Sequence, residues 1–238
     1  MSLPVAILAG GMAMRLRPVT EQIPKSLVEV AGKPFIIHQL ELLSQCGLTN
    51  VVICVGYLGE KVEKEIGDGH HWNMKVDYVF DGPILLGTGG ALRRALPILG
   101  NAFFVLYGDS YLECDYSAVE KAFHESGKLG LMTVNHNVNQ WDQSNVMFDS
   151  VSGKIIRYDK LTRSCDMQHI DYGLGILTQQ ALIPYLEGAP LDLASVYQDL
   201  LANDQLAGYE MVQRFYEIGS QSGLEETDAY LRGKGKQK

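Results

Sequence analysis

Short apolar runs alternate with stretches of helical spacing through the first half of the chain. Residues 5–9 (VAILA), 51–55 (VVICV) and 103–107 (FFVLY) are continuously apolar and too short for helices, so each reads as a strand buried on both faces. Between them, Pro34 opens a helix in which Phe35, Ile36, Leu40 and Leu43 keep helical spacing until Gly47 ends it. Residues 58–66 form a second helix, with Glu60 and Lys64 one turn apart, and a third follows the glycine cluster at 87–90. Strands that alternate with helices in this way predict an α/β protein: a mostly parallel, mixed sheet flanked by helices.

The pattern shortens after residue 115. Strands are expected near 129–134, 145–148, 155–158 and 169–177, and helices near 179–186 and 195–203. No Pro/Gly/Ser-rich linker separates the two parts, so residues 1–232 read as a single unit with a first half of about 1–115 and a lobe of about 116–232. The segment GKGKQK at 233–238 reads as a disordered tail.

With 238 residues, 46% hydrophobic and 20% charged, the chain has the composition of a soluble globular protein with a substantial core. Its formal net charge of −8 argues against a sequence-independent grip on nucleic acid or on an anionic membrane. No run is long enough to span a membrane, and the N-terminal residues lack a basic flank and a cleavage site, so a cytoplasmic protein is expected. Cys46, Cys54, Cys114 and Cys165 are scattered without a C-x-x-C pair, and the six histidines show no metal-binding spacing.

Against this acidic background the first strand runs into Gly10-Gly11 and then into Arg15, Arg17 and Lys25. Glycine N–H groups approached closely, backed by fixed cations, form a device for holding a polyphosphate. The P-loop pattern is absent, because no Gly-Lys-Ser/Thr occurs. A second cluster, Gly87-Thr88-Gly89-Gly90, does not fit the dinucleotide fingerprint. Two readings of it stand: a backbone wall against a flat base, or a helix cap at Thr88 with glycines for packing. Asp109 follows a strand and Gly108, where a carboxylate can hold Mg²⁺. Glu217 lies in the apolar segment FYEIG, either as Asp109's partner or as a charge on the solvent face of an edge strand.

Taken in order, LAGGMAMRLRP and PK within 8–25, LGTGG at 86–90, GDS at 108–110, YDK at 158–160, YGLGI at 172–176 and FYEIG at 215–219 resemble the sugar-1-phosphate nucleotidyltransferases. The similarity covers nearly the whole chain and is strongest to short bacterial members, near the mannose- and heptose-1-phosphate guanylyltransferases and the N-acetylmuramate-1-phosphate uridylyltransferases. It implies a Rossmann-like fold of the nucleotide-diphospho-sugar transferase type, with a nucleotide-binding first half and a sugar-binding lobe. By resemblance, Leu8, Ala9, Gly10, Gly11, Arg15, Gly87 and Thr88 would bind the nucleotide, and Arg15 and Lys25 would serve catalysis at the phosphates. Asp159, Lys160, Asp171 and Gly173 would meet the sugar phosphate, and Asp109 and Glu217 would hold Mg²⁺. The family's G-x-G-T-R loop reads Gly11-Met12-Ala13-Met14-Arg15 here, and its usual Asp stands as Glu217.

The implied partners are an NTP and a sugar 1-phosphate, with no nucleic acid or membrane; a homo-oligomer is left open. The implied reaction forms an NDP-sugar and pyrophosphate, leaning towards GTP with a mannose- or heptose-type sugar. Two alternatives stand beside it: a catalytically weak regulatory protein that senses an NDP-sugar, and a CTP-dependent phosphocholine-type cytidylyltransferase with a ring cage drawn from Trp141, Tyr158 and Tyr172. Motif spacing does not fix the base, which depends on side chains around residues 81–88.

Overall fold

The computed structural model of the chain describes residues 2–12, 16, 19–162 and 164–235. In chain order the first half holds β1 (Val5–Leu8), β2 (Glu29–Val30), β3 (Lys33–Pro34), α1 (Phe35–Gln45), β4 (Asn50–Val55), α2 (Gly59–Ile66), β5 (Lys75–Phe80), α3 (Gly87–Leu99), β6 (Ala102–Tyr107) and β7 (Ser110–Tyr111). The second half holds α4 (Tyr116–Ser126), β8 (Gly130–His136), β9 (Val146–Asp149), β10 (Lys154–Tyr158), β11 (His169–Thr178), α5 (Leu193–Ala202), β12 (Leu206–Met211), β13 (Tyr216–Glu217) and α6 (Gln221–Gly235).

One nine-stranded mixed sheet draws on both halves, in the order β10-β9-β11-β6-β1-β4-β5, with β8 paired to β11 and β12 paired to β8. The apolar runs of β1 and β4 alternate between two cores, as a strand covered on both faces must. Val5, Ile7, Val51, Ile53 and Val55 pack with Ile36, Leu40, Val62, Val119 and Phe123 of α1, α2 and α4. Ala6, Val52 and Cys54 pack on the other face with Leu92, Ala95, Val196 and Leu200 of α3 and α5.

Register decides where chemistry can sit. Leu8 pairs with Cys54 and Tyr107, and Val55 pairs with Phe80, so β1, β4, β5 and β6 all end at one level. The residues that follow, Gly10, Gly56, Asp81 and Asp109, are delivered to a common edge, the place where open α/β sheets bind ligands.

Three expectations are corrected. The region 179–186 forms one 3₁₀ turn, Gln179–Ala181, instead of a helix; Pro184 lacks an N–H and disfavours helical geometry in the residue before it. The helix after the glycine cluster begins at Gly87 itself, with Gly89 and Gly90 in its first turn. Residues 233–235, expected to begin a disordered tail, belong to α6, which runs through Gly235; residues 236–238 lie outside the described residues.

Those glycines are crossed by residues 189–193. Gly89 and Gly90 donate their N–H groups to the Leu191 carbonyl at 2.9 and 3.1 Å, and Leu191 donates back to the Leu86 carbonyl at 2.8 Å. Gly87 has φ +70°, and a methyl group there would lie 2.7 Å from the Leu191 oxygen. Gly87→Ala should therefore destabilise the protein by about 1–2 kcal/mol or more from the backbone alone. That corresponds to a drop in unfolding temperature of about 2–4 °C per kcal/mol, measurable by calorimetry.

Candidate active site

The strand ends open into a cavity of about 670 Å³. Leu8, Ala9, Gly10, Gly11, Gly87 and Thr88 line it together with Lys160, Asp171 and Gly173, and Lys25, Asp109 and Glu217 are also in the wall. Residues far apart in sequence thus share one cleft, the pattern of a site built on strand termini. Arg15, Ala13 and Met14 lie outside the described residues.

The charged corner is built by a short ladder. β13 pairs antiparallel with β7, Glu217 opposite Ser110, and Ile218 donates its N–H to the Asp109 carbonyl at 2.9 Å. Lys25 Nζ donates to Asp109 Oδ2 at 2.6 Å, with only 18% of the lysine side chain exposed. A methyl group at Gly219 would lie 2.5 Å from Glu217 Oε2, 3.1 Å from Lys25 Nζ and 3.5 Å from Asp109 Oδ2, so the three groups surround one point. Glu217 is therefore not a charge on a solvent face. Its oxygens accept from the Gly219 N–H and, at 2.7 Å, from Ser220 Oγ. Two convergent hard oxygens suit Mg²⁺, which commonly takes one or two carboxylates and completes its shell with phosphates and waters. No cluster of three or more acidic, histidine or cysteine ligands exists among the described residues, so any such ion would depend on substrate oxygens.

Asp171, also in the wall, accepts from three donors. Its Oδ2 accepts from Tyr107 Oη at 2.6 Å and Tyr158 Oη at 3.3 Å, and its Oδ1 accepts the Gly173 N–H at 3.1 Å. Burial, and next the Asp171 charge, push the Tyr107 hydroxyl well above its ordinary range, so it stays a proton donor to that carboxylate. Gly173 has φ +92° at the irregular register of β11, and a methyl group there would lie 2.9 Å from Ser110 Oγ. Lys160 Nζ sits over the Tyr107 and Tyr158 rings, 5.3 and 5.9 Å from their centroids.

Asp159 is placed differently from the expectation. Its Oδ1 accepts the N–H groups of Leu161 and Thr162 at 2.9 and 2.8 Å, and Arg157 donates to its Oδ2 at 3.3 Å. These bonds hold its carboxyl below the usual range, and it caps a turn instead of lining the cavity. Thr88 is not the cap of α3: its Oγ1 accepts the N–H of Leu193 at 2.9 Å, at the start of α5. The glycine cluster thus lines the cavity and is also closely packed, while the helix cap expected at Thr88 is not made.

Among the lining residues that the sequence reading gave no role are Asp142, Gln143 and Asn145, and Asp81 entered it only as the start of the segment 81–88. Only Asp81 carried a usable signal, as a charge placed directly after a strand. It is 4% exposed; Oδ2 accepts the Leu86 N–H at 3.1 Å, and Oδ1 has no hydrogen-bond partner among the described residues.

Residues 5–144 match the model of the nucleotidyl transferase family. The chain belongs to that family. It is 30% identical over 229 residues to the N-acetylmuramate alpha-1-phosphate uridylyltransferase of Neisseria meningitidis, covering 94% of this chain and 96% of the relative. It is 28% identical over 218 residues to mannose-1-phosphate guanyltransferase beta-B of Xenopus laevis, covering 90% of this chain and 60% of that longer protein. A Bacillus anthracis structure assigned as a glucose-1-phosphate thymidylyltransferase superposes with a TM-score of 0.85 at 21% identity, over 97% of this chain and 96% of its own. These relatives are sugar-1-phosphate nucleotidyltransferases, the group that the sequence motifs resemble, and the structural neighbour shares the fold. No helix among the described residues is long and apolar enough to cross a membrane.

Burial raises the Asp81 carboxyl pKa, opposed by the Leu86 N–H and the Arg94 charge. The folded state then binds this proton more tightly than the unfolded chain, so its contribution to stability is full below the ordinary carboxylate range and declines as pH rises through the raised value. An unpaired buried carboxylate oxygen costs about 1–3 kcal/mol. Asp81→Asn should accordingly melt above wild type at about pH 8 and close to wild type at about pH 4, read by thermal denaturation without ligand.

Proposed function

We propose that the chain transfers a nucleoside monophosphate from an NTP to a sugar 1-phosphate in a cytoplasmic setting, with GTP and a mannose- or heptose-type sugar as the substrates. The observation that carries the reading is the single cavity. Gly10, Gly11 and Gly87 line it together with tyrosine-held Asp171 and Lys160, and Lys25, Asp109 and Glu217 are gathered at one point of its wall.

An oxygen of the sugar phosphate, already anionic at neutral pH, attacks the α-phosphorus. A P–O bond forms, the bond to the β-phosphate oxygen breaks, and pyrophosphate leaves with the electron pair. No protein base and no covalent intermediate are required, so catalysis is positioning and charge stabilisation. Lys25 has three donors; one goes to Asp109, and two remain for phosphate oxygens. Arg15, by its motif position, supplies a second charge to the triphosphate. Lys160 faces the incoming phosphate, and Asp171 accepts from sugar hydroxyls. Asp109 and Glu217 would hold Mg²⁺, which when bound supplies charge neutralisation between the two reacting phosphates.

A phosphocholine-type acceptor is disfavoured by the rings themselves. Tyr158 faces the Lys160 ammonium and Trp141 lies under the Arg214 guanidinium at 5.0 Å, and neither ring is among those that line the cavity, so of the three only Tyr172 is placed to meet a quaternary ammonium there.

A matrix of NTPs against sugar 1-phosphates, read by pyrophosphate release, should show Mg²⁺-dependent turnover for at least one pair. Tight NDP-sugar binding without turnover anywhere in the matrix would favour the sensor instead. Lys25→Ala and Arg15→Ala should each lower kcat by roughly 10²-fold, the scale of removing one preorganised charge donor. Asp109→Asn and Glu217→Gln should each weaken the Mg²⁺ titration, and the double variant should lose little beyond the worse single one, because groups that act as a unit are non-additive. Additive losses would show that the two carboxylates do not share one ion.

A further inference from the structure

The turn that carries Asp109 is braced from behind by a side chain that does not line the cavity. Gly108 donates its N–H to the Leu8 carbonyl at 3.0 Å, and the Asp109 carbonyl accepts from Ile218, so β1 and β13 each hold the turn by one backbone bond. The carbonyls on either side, those of Tyr107 and Ser110, go to a single amide. Gln39 Nε2 donates to them at 3.0 and 2.8 Å, which uses both of its N–H bonds. Gln39 lies mid-way along α1, is 1% exposed, and is absent from the cavity wall. Its Oε1 is buried with no hydrogen-bond partner among the described residues. Leaving that oxygen unpaired costs free energy, so what the amide supplies lies in its two donations.

Its neighbours make the brace stiff. Ile36, Leu40 and Leu43 anchor α1 in the core, and the amide therefore reaches the turn from a fixed element. Ser110, one of the two residues it holds, is also the residue paired with Glu217. We propose that Gln39 is the positioning residue of the charged corner: by clamping the Tyr107 and Ser110 carbonyls it keeps the Asp109 and Glu217 carboxylates convergent enough to share one divalent ion. The inference rests on reading those two carboxylates as the ion's ligands, and it assigns the group that orients them. Mg²⁺ tolerates little departure from octahedral geometry, so a small tilt of the turn is felt at the ion. A glutamine that only satisfied two buried carbonyls would affect stability and nothing else.

Mn²⁺ binding by the full chain, read by electron paramagnetic resonance with GTP and with UTP in parallel, tests this apart from turnover. Gln39→Met keeps the length of the side chain and removes both donors. It should weaken Mn²⁺ binding about 10-fold and lower kcat about 10-fold or more, the scale of losing a group that orients metal ligands. KM for the sugar 1-phosphate should stay near wild type, since the sugar contacts are untouched. Leu43→Val, a core truncation one turn along the same helix, should lower the unfolding temperature and leave Mn²⁺ affinity and kcat alone. If Gln39→Met does not fold, Gln39→His, which keeps one ring N–H for one of the carbonyls, should show the same losses at smaller size. A folded Gln39→Met or Gln39→His with wild-type kcat and Mn²⁺ affinity would overturn the proposal, and so would equal losses in Leu43→Val. Turnover in the substrate matrix with Mn²⁺ binding indifferent to Gln39 leaves the proposed reaction standing and sinks this inference. Mn²⁺ binding that weakens in Gln39→Met, with no turnover for any substrate pair, does the reverse. Wild type that binds no Mn²⁺ with either nucleotide overturns the shared ion and the brace together.

Discussion

Two rungs of antiparallel pairing hold the charged corner together. Glu217 is opposite Ser110 and Tyr216 opposite Tyr111, so a segment from the far end of the chain is laid beside the turn that follows β6. The pairing is too short to persist alone, and side chains pin it. Tyr216 stacks on Tyr230 of α6 with ring centroids 3.9 Å apart, and Thr227 Oγ1 donates to the Glu217 carbonyl at 2.8 Å. Remove that support and Asp109 keeps Lys25 but loses its neighbouring carboxylate. The corner is then reduced to one ion pair, and an exposed pair of that kind is worth little in water.

For the proposed function, an acidic protein has to receive an anion at this corner. Asp81, Asp109, Asp142, Asp171 and Glu217 line the cavity against Lys25 and Lys160, so carboxylates outnumber the described ammonium groups there. Each of Asp109 and Asp171 is bound by specific donors and is unavailable to repel a substrate freely. Additional positive charge must still come from elsewhere, which is the physical reason to expect both the Arg15 motif and a divalent ion to matter.

Much of the sheet was legible because buried parallel strands write themselves as unbroken apolar runs. β1, β4 and β6 stood out this way, and their shared register then delivered Gly10 and Asp109 to one edge without further information. The region 179–186 was misread because its apolar spacing suggested a helix while Pro184 forbade one. Asp159 looked like a ligand residue from its motif alone; only the turn it caps shows where its oxygens go. Asp142 and Gln143 left no trace in the pattern, and Asn145 was legible only as the start of a strand, since a loop folded on side-chain hydrogen bonds such as Ser144 N–H to Asn139 Oδ1 at 2.8 Å has no periodicity to read. Thr88 could be placed near a ligand by motif, but its bond to α5 is a long-range fact that local spacing does not encode.

The crossing of the glycine turn by residues 189–193 has a bearing on how this protein can change. Through Thr88 the turn is tied to the start of α5, and further along that helix Gln198 donates to the Tyr158 carbonyl at 3.2 Å, beside Asp171. One helix therefore bonds both to the glycine turn and to the strand that carries Tyr158. A loop graft that exchanges residues 82–90 alone would leave the crossing segment facing a foreign surface, whereas a graft that carries 189–193 with it moves a self-consistent module. The unit of inheritance for this half of the cleft is thus a pair of distant segments, and recombination points that separate them should be poorly tolerated.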